Sequence, residues 1–336
     1  MPGAFRIGRR ASLGLGAGMG AALAAGATAR RAFAQETYPG RPVRIIVPFP
    51  PGQAADIFSR LLAEELSQRW PQRVFVENRA GGAGAIGMEA GARATPDGYT
   101  LVCGTSGTLG INPSVLTRLP YDAERDFAPI TNIFMLPLVI VVHPDFPART
   151  AQELVAYAKA RPEGTDFASA GPATSQHMAA ELFALRTGVK LNHVPYRGSG
   201  PAMADLLAGN VKLMFDSMAS ALPQIQAGRI RALAATTATR AVQLPDLPTV
   251  AETVAPGYAA MGWSGLVAPS GTPPEIVAKV NADSVAILRE PRVVARMQEL
   301  GGTADPQTPA QFAAFIRDEI AKWREVARAA NVRLDG

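Results

Sequence analysis

Cysteine is almost missing from this chain: Cys103 is the only one in 336 residues. An intrachain disulfide is therefore excluded. Cys103 sits in the apolar run "YTLVCGT". It reads as a small buried hydrophobe, since a nucleophile needs a nearby base and none is evident. Histidine is scarce too. His143, His177 and His193 show no ligand spacing with each other or with the cysteine, so no metal is expected. No histidine follows His193. The stretch "GWSGL" around Ser264 has Leu266 where a nucleophile elbow needs glycine, and no Asp-then-His order follows, which excludes a serine hydrolase. No catalytic residue is assigned and no enzyme is expected.

Excess charge is also missing, once the start of the chain is set aside. Residues 1–34 hold five arginines and no acid. They run from a basic segment through a Gly/Ala-rich, weakly apolar one to Ala32-Phe33-Ala34. That is the order of a secretory signal cleaved after Ala34. It is too glycine-rich and too short of strongly apolar residues for a membrane anchor. Arg9-Arg10 with Leu13 resembles a twin-arginine signal, although Ser12 replaces the usual phenylalanine. Without these residues, 28 basic side chains face 28 acidic ones. The sequence pI of 9.6 thus belongs to the leader. Nothing basic remains to argue for nucleic acid or an anionic membrane as partner.

What is present is alternation. "PVRIIVPF", "RVFVEN" and "YTLVCGT" read as strands. Helices are expected over "ADIFSRLLAEELSQRW", with Ile57, Leu61, Leu62 and Leu66 on one face, and near "GAIGMEAGARA". A second series begins near Leu138, with strands at "LVIVVHP", "TDFASAG", "KLNHVPY", "VKLMFD" and "IRALAATT". Thr150 and Glu153 are placed as a capping box. "TPPE" at Thr272 and "TPAQ" at Thr308 start helices with proline in the first position. The result is an α/β chain of two lobes with parallel sheets.

Two joins carry chemistry. "VPFPPGQAAD" ends a strand in Pro50-Pro51-Gly52 and starts a helix at once; "FASAGPATSQH" does the same in the second series. Such corners lie at the carboxyl ends of parallel strands, where open α/β folds bind ligands. Each offers unpaired N–H groups and the positive end of a helix dipole. Gly52 and Gly171 allow close backbone approach, and Thr174 and Ser175 add hydroxyls. Two corners facing across a cleft would grip a small anion without lysine. Thr105, Ser106 and Thr108 follow the third strand, also at a carboxyl end. Asp56 is either a ligand contact or a helix cap, with the cap favoured. Arg197 either lines the cleft or is a solvated loop charge. Asp216 either contacts ligand or steadies a hinge, with the hinge favoured. "GAGAIG" from Gly82 spells G-x-G-x-x-G, but the next strand ends in Cys103-Gly104-Thr105 with no acid. A dinucleotide cofactor is therefore not expected.

These stretches, with "YPGRPVRIIVPFPPG", "VENRAGGAGAIG", "LPYDAERDFAPIT", "HVPYRGSGPAMADLLAGNVKLMFD" and "APSGTPPEIVAKVN" in the same order, make residues 38 to about 332 resemble the Bug family. These are the extracytoplasmic solute receptors of tripartite tricarboxylate transporters. The resemblance implies a two-lobed periplasmic-binding-protein type II (venus flytrap) fold. It implies lobes at 35–138 plus 260–336 and at 139–259, with the final helices back on the first lobe. It implies a small carboxylate as ligand (a di- or tricarboxylate, an amino acid or an aromatic acid) and integral membrane transporter components as partners. Carried over, the ligand-binding residues are Phe49, Gly52, Gln53, Ala54, Ala55 and Asp56 at the first corner. At the second they are Ala170, Gly171, Ala173, Thr174, Ser175 and His177. Thr105, Ser106, Arg197 and Asp216 join them. This chain departs from the family in having Gln53 and Ala55 for a glycine and a threonine, and Pro172 and Ala173 for an asparagine and a glycine. Two alternatives stay open at this point: an exported carboxylate-handling enzyme, and a receptor feeding a signalling partner.

Overall fold

The computed structural model describes residues 1–4 and 38–334. The leader expected at 1–34 therefore lies, apart from its first four residues, outside the described residues. Residues from Arg41 onward form one body. Among the described residues no helix is long and apolar enough to cross a membrane.

The first half alternates as expected. Strand β1 (Val43–Val47), helix α1 (Ala54–Arg69), β2 (Val74–Asn78), α2 (Ala85–Ala92) and β3 (Thr100–Thr105) follow in order. β1 pairs in parallel with both β2 and β3. β1 and β3 are apolar runs buried on both faces, the pattern of a covered parallel sheet. The buried face of α1 is Ala55, Phe58, Leu62 and Leu66, whereas Ile57 is exposed. The expected face was rotated, because Phe58 rather than Ile57 finds a partner: its ring lies 4.2 Å from that of Phe134.

The second half repeats the order with α4 (Ala151–Lys159), β5 (Thr165–Ser169), α5 (Ser175–Thr187), β6 (Leu191–Pro195), α6 (Ser199–Ala208), β7 (Leu213–Ser217), α7 (Met218–Gln226) and β8 (Arg231–Ala235). A short α3 (Asn112–Val115) precedes it. β5 pairs in parallel with β6 and β7. Thr150 caps α4 by accepting the Glu153 N–H, but Glu153 returns to Arg149 N, one residue before the cap. The expected box is therefore half formed.

Two strands join the halves. β4 (Phe127–Val142) is one 16-residue strand, although only its part from Leu138 is legible as a strand in the sequence. Register shifts at Pro129/Thr131 and Asn132/Phe134 break the alternation that would reveal the rest. β4 pairs antiparallel with β9 (Met261–Pro269) from Phe127 to Pro137, then with β7 from Leu138 to Val142. The strand order is β2-β1-β3-β9-β4-β7-β5-β6; β8 and β10 (Thr303–Ala304) also pair with β4.

The remaining helices are α8 (Val250–Thr253), α9 (Pro274–Leu288), α10 (Pro291–Glu299) and α11 (Pro309–Ala329). Thr308 and Gln311 form the expected capping box of α11. At α9, Pro273 occupies the cap position and the Thr272 hydroxyl donates to Pro269 O instead. The front of α11 packs Phe312, Ile316 and Ile320 with Trp263, Phe127 and Val102. Its rear carries Trp323 and Val326 into the cluster of Leu138, Met178 and Phe183. The helix thus bridges both halves rather than packing on the first alone.

Candidate functional site

β1 stops at Val47 because the next residues are Pro48, Phe49, Pro50 and Pro51, and proline has no ladder donor. Gly52 turns the chain with φ +86°, a conformation that favours glycine. Gln53 is the N-cap of α1, extended and without a side-chain cap bond. The expectation that Asp56 is the cap is thereby corrected: Asp56 is the third helical residue and is 3% exposed. Its carboxylate accepts Gly52 N–H at 2.9 Å, Arg60 Nε at 2.9 Å and Asn78 Nδ2 at 2.8 Å. Asn78 Nδ2 also donates to Phe49 O. Burial pushes the Asp56 carboxyl up, but the bonds from Arg60, Gly52 and Asn78 outweigh it and hold the group below its ordinary range. Asp56 therefore braces the corner. The first-turn N–H groups of Ala54, Ala55 and Asp56 have no intrahelical acceptor, and Gln53 is exposed beside them.

The glycine-rich stretch read as a dinucleotide decoy has another role. Gly81, Gly82, Ala83 and Gly84 all have positive φ. Ala83 O accepts Asn112 Nδ2 at 3.0 Å. A Cβ on Gly84 would meet Thr108 Cγ2 at 2.6 Å and Phe49 Cζ at 3.3 Å. The stretch is thus the wall against which Phe49 rests. Sequence reasoning missed it; the density of glycine at the end of β2 was the available signal. Thr105 and Thr108 cap each other at the start of a π-helical segment, Ser106–Ile111. The Thr105 hydroxyl is thus engaged, and Ser106 is buried.

At the second corner most amides face inward. Gly171 N–H donates to Ser169 Oγ at 3.1 Å, and Ala173 N–H donates to His177 Nδ1 at 3.2 Å. Ala173 holds φ +55°. Pro172 has no N–H. Thr174 caps α5, accepting His177 N–H and donating to Gly171 O. The N–H groups of Ser175 and Gln176 are left as the free donors of this turn. His177 Nε2 lies 3.3 Å from Glu181 Oε1, and its ring stacks on His193 at 3.9 Å. Both ring nitrogens of His177, the one candidate base for an enzyme, are therefore taken by protein. Burial, then the charge of His177, pushes His193 down to about 3.

Asp216, the last residue but one of β7, has no exposure. It accepts Ser199 Oγ at 2.5 Å. Burial raises its carboxyl above the ordinary value. Arg197 follows β6 and is exposed. Its neighbour Gly198 donates to Ala170 O at 3.0 Å, which stitches this loop to the second corner.

The corners face each other, as the register shows. β3 ends at Thr105, paired through Ser264 with Phe134 on β4; β7, running the opposite way, ends at Ser217 opposite Leu138. Four residues of β4 separate the two levels, about 13 Å at strand rise. Leu136 and Gly262 lie between them. A Cβ on Gly262 would stand 3.4 Å from Ser175 Oγ and 3.3 Å from Leu136 Cβ. Those residues form the floor of the gap, and the first turn of α5 sits above it. A groove of about 550 Å³ lies elsewhere, among Ile225, Ile230, Arg231 and Leu244. Its Arg231 is spent on the carbonyls of Pro144, Phe146 and Ala148, so it offers no comparable grip.

Two α/β halves joined by crossover strands, with helix starts facing across the gap, define a two-lobed solute-binding protein of periplasmic-binding-protein type II fold. Residues 58–332 match the profile of the tripartite tricarboxylate transporter family receptor, and the chain belongs to that family, whose members are solute-binding receptors. BugT of Bordetella pertussis is 39% identical over 300 residues, covering 89% of this chain and 92% of that protein. Rpa4515 of R. palustris, solved with adipate, superposes with a TM-score of 0.79 at 35% identity, covering 88% of this chain and 99% of that one. MatC of Rhodopseudomonas palustris, solved with malate, gives 0.75 at 31% identity, with 86% and 99% covered.

Proposed function

We propose that this protein is a periplasmic receptor that takes one small carboxylate between its two corners and delivers it to integral membrane components of a tripartite tricarboxylate-type transporter. The observation that carries this reading is the opposed pair of helix starts. Ala54, Ala55 and Asp56 offer backbone donors on one side, and Ser175 and Gln176 on the other. An anion at a helix start gains roughly 0.3–2 kcal/mol from the dipole, and each charged hydrogen bond adds about 1.5–3 kcal/mol. Four such bonds hold a small carboxylate in the micromolar range after the entropic costs of binding. The adipate and malate of the two R. palustris neighbours support the ligand class. Within this reading Phe49, Gln53, Thr105 and Ser106 line the first corner. Gly52, Gly171 and Ala173 shape the turns, and Thr174 and His177 hold the second corner in place.

The lobes are assigned to 35–138 plus 260–336 and to 139–259. The change of β4's partner between Pro137 and Leu138 supports that division. Closure is a rotation about β4 and β9 that brings the second corner onto a ligand docked at the first. The leader directs export and is removed after Ala34.

A thermal-shift panel of dicarboxylates, tricarboxylates, amino acids and aromatic acids, followed by calorimetry, tests the reading. A ligand at 100 times its Kd adds about 2.7 kcal/mol, a shift of several degrees. The expected result is a one-to-one complex from which the ligand is recovered unchanged. Absence of any carboxylate hit with protein stripped by unfolding and refolding refutes it.

A further inference from the structure

Asp216 is a buried acid that the grip on a ligand does not use. It has no exposed surface, yet three helices begin around it. Ser199, the first residue of α6, gives it a hydroxyl at 2.5 Å. Ser217, the N-cap of α7, turns its N–H to the same carboxylate, and Ser220 of α7 its hydroxyl. Gln176, the second residue of α5, reaches it with its side-chain amide. All of these partners are neutral, so the ionised carboxyl is held by dipoles alone. Burial meanwhile pushes it above its ordinary value.

Gln176 links this acid to the gap. Its backbone N–H is one of the free donors of the second corner, and its side chain points to Asp216. Ser175 steadies that side chain by donating its hydroxyl to Gln176 Oε1 at 3.2 Å. An anion at the second corner therefore lies one glutamine away from Asp216, at the same helix start. Two like charges there share the positive end of α5 and disfavour each other. The surrounding elements hold no group that relieves this. β4, β9 and α7 contain no ionisable residue. On α5, His177 is bound to Ala173 and Glu181, and Arg186 lies in the last turn. On β6, His193 is bound to Ser169; on β5, Asp166 takes Asn192; on α6, Asp205 takes Tyr196 and Asn210. Arg197 is exposed on the loop before α6. The hydrogen bonds of Asp216 come from none of these groups.

We propose that Asp216 takes up a proton from solvent when a carboxylate settles on the second corner, so that the receptor binds its ligand together with one proton. The proposal rests on the carboxylate reading above and adds a linked proton to it. The neutral acid stays satisfied, because the Ser199 and Ser220 hydroxyls can turn and accept its new O–H. The sign follows from linkage. The free protein is ionised at Asp216 and the complex is protonated in the pH interval between their two titrations. Affinity is therefore greatest at the acid end of that interval and falls as pH rises through it, by at most about tenfold per pH unit for one proton.

The test is calorimetry with acetate, malate, adipate and glutamate in paired buffers of different ionisation heat, from about pH 6 to about pH 8, where most carboxyls of the probes are already ionised. A control titration of each acid without protein removes its own residual protonation. The expected result for wild type is uptake of up to one proton per ligand at the acid end, and a Kd that rises severalfold towards the alkaline end. Asp216→Asn, which copies the shape of the neutral acid, should show neither effect. Ser199→Ala keeps the acid and removes its shortest bond, which favours the ionised form, so it should move the interval to higher pH. This second variant decides the matter if Asp216→Asn does not fold. Equal heats in both buffers with a Kd flat in pH, uptake that survives Asp216→Asn, or an interval unmoved by Ser199→Ala each overturns the linked proton while leaving the receptor reading intact. Wild-type protein that binds none of the four acids overturns both.

Discussion

The carboxylate of Asp56 accepts the N–H of Gly52 at 2.9 Å, so the third residue of helix α1 closes back onto the glycine that turns the chain into it. This bond fixes the direction of the free N–H groups that follow. Asp56→Ala removes the acceptor for Gly52, Arg60 and Asn78 together. The expected cost is about 1–3 kcal/mol of stability, because three partly buried hydrogen bonds lose their one acceptor. Carboxylate affinity should fall further than stability does, since the corner loses its geometry and not only its energy. Urea denaturation and calorimetry on the same variant separate the two. Unchanged affinity would show that the first corner is rigid without this brace.

The two turning glycines should respond differently to alanine. Both have positive φ, +86° at Gly52 and +129° at Gly171. A Cβ at Gly52 meets nothing within 4 Å, whereas at Gly171 it would stand 2.8 Å from Tyr196 O. Gly52→Ala carries conformational strain alone, about 1–2 kcal/mol. Gly171→Ala adds a clash with backbone and must displace the loop that holds Arg197. Its denaturation midpoint should therefore fall further than that of Gly52→Ala. Equal midpoints would mean that the β6–α6 loop yields at no cost.

Much of this was legible in the sequence. The strand-to-helix corners, the parallel order within each half and the capping box at Thr308 all follow from local patterns that the fold does not override. Three features were hidden for physical reasons. β4 is a strand through Pro129, Asn132 and Pro137, held by β9 on one side, and its bulges erase the period-two signal. The inward turn of the Gly171 and Ala173 amides depends on Ser169 and His177 side chains, which sequence spacing does not aim. The wall at Gly81–Gly84 is a run of positive φ whose meaning emerges only when Phe49 packs on it.

His193 makes stability depend on pH below neutrality. Its ring is held down to about 3 from an ordinary 6.5, first by burial and then by the charge of His177 stacked on it. The unfolded chain binds a proton near 6.5 while the folded chain does not until about 3. The stabilising contribution is therefore complete above 6.5 and is lost progressively as pH falls from 6.5 towards 3. The same ring bonds at 2.7 Å to Ser169, the residue that accepts Gly171 N–H. His193→Gln keeps a polar partner for Ser169 and removes the titration. The drop in urea midpoint between about pH 7 and pH 4.5 should be smaller in this variant than in wild type. An equal drop would assign the acid sensitivity to other groups.

The crossover region has its own buried acid. Glu319 on α11 is 6% exposed and accepts both Trp263 Nε1 and Trp323 Nε1 at 2.9 Å. Lys322 pairs with its other oxygen and also donates to Ala259 O, just before β9 begins. One carboxylate thus ties the last helix to the strand that crosses between lobes, at the place where α11 passes from one apolar cluster to the other. Glu319→Ala orphans two buried indole N–H groups and a partly buried ammonium, and should cost about 2–4 kcal/mol. Glu319→Gln keeps an acceptor for the indoles and should recover part of that loss. Because the bond lies behind the gap and away from the free N–H groups, the affinity of the folded Glu319→Gln protein for a bound carboxylate should stay near wild type. A variant that remains stable yet binds weakly would instead place Glu319 in the motion of the lobes, with β9 needing this tether to return the second corner to the ligand.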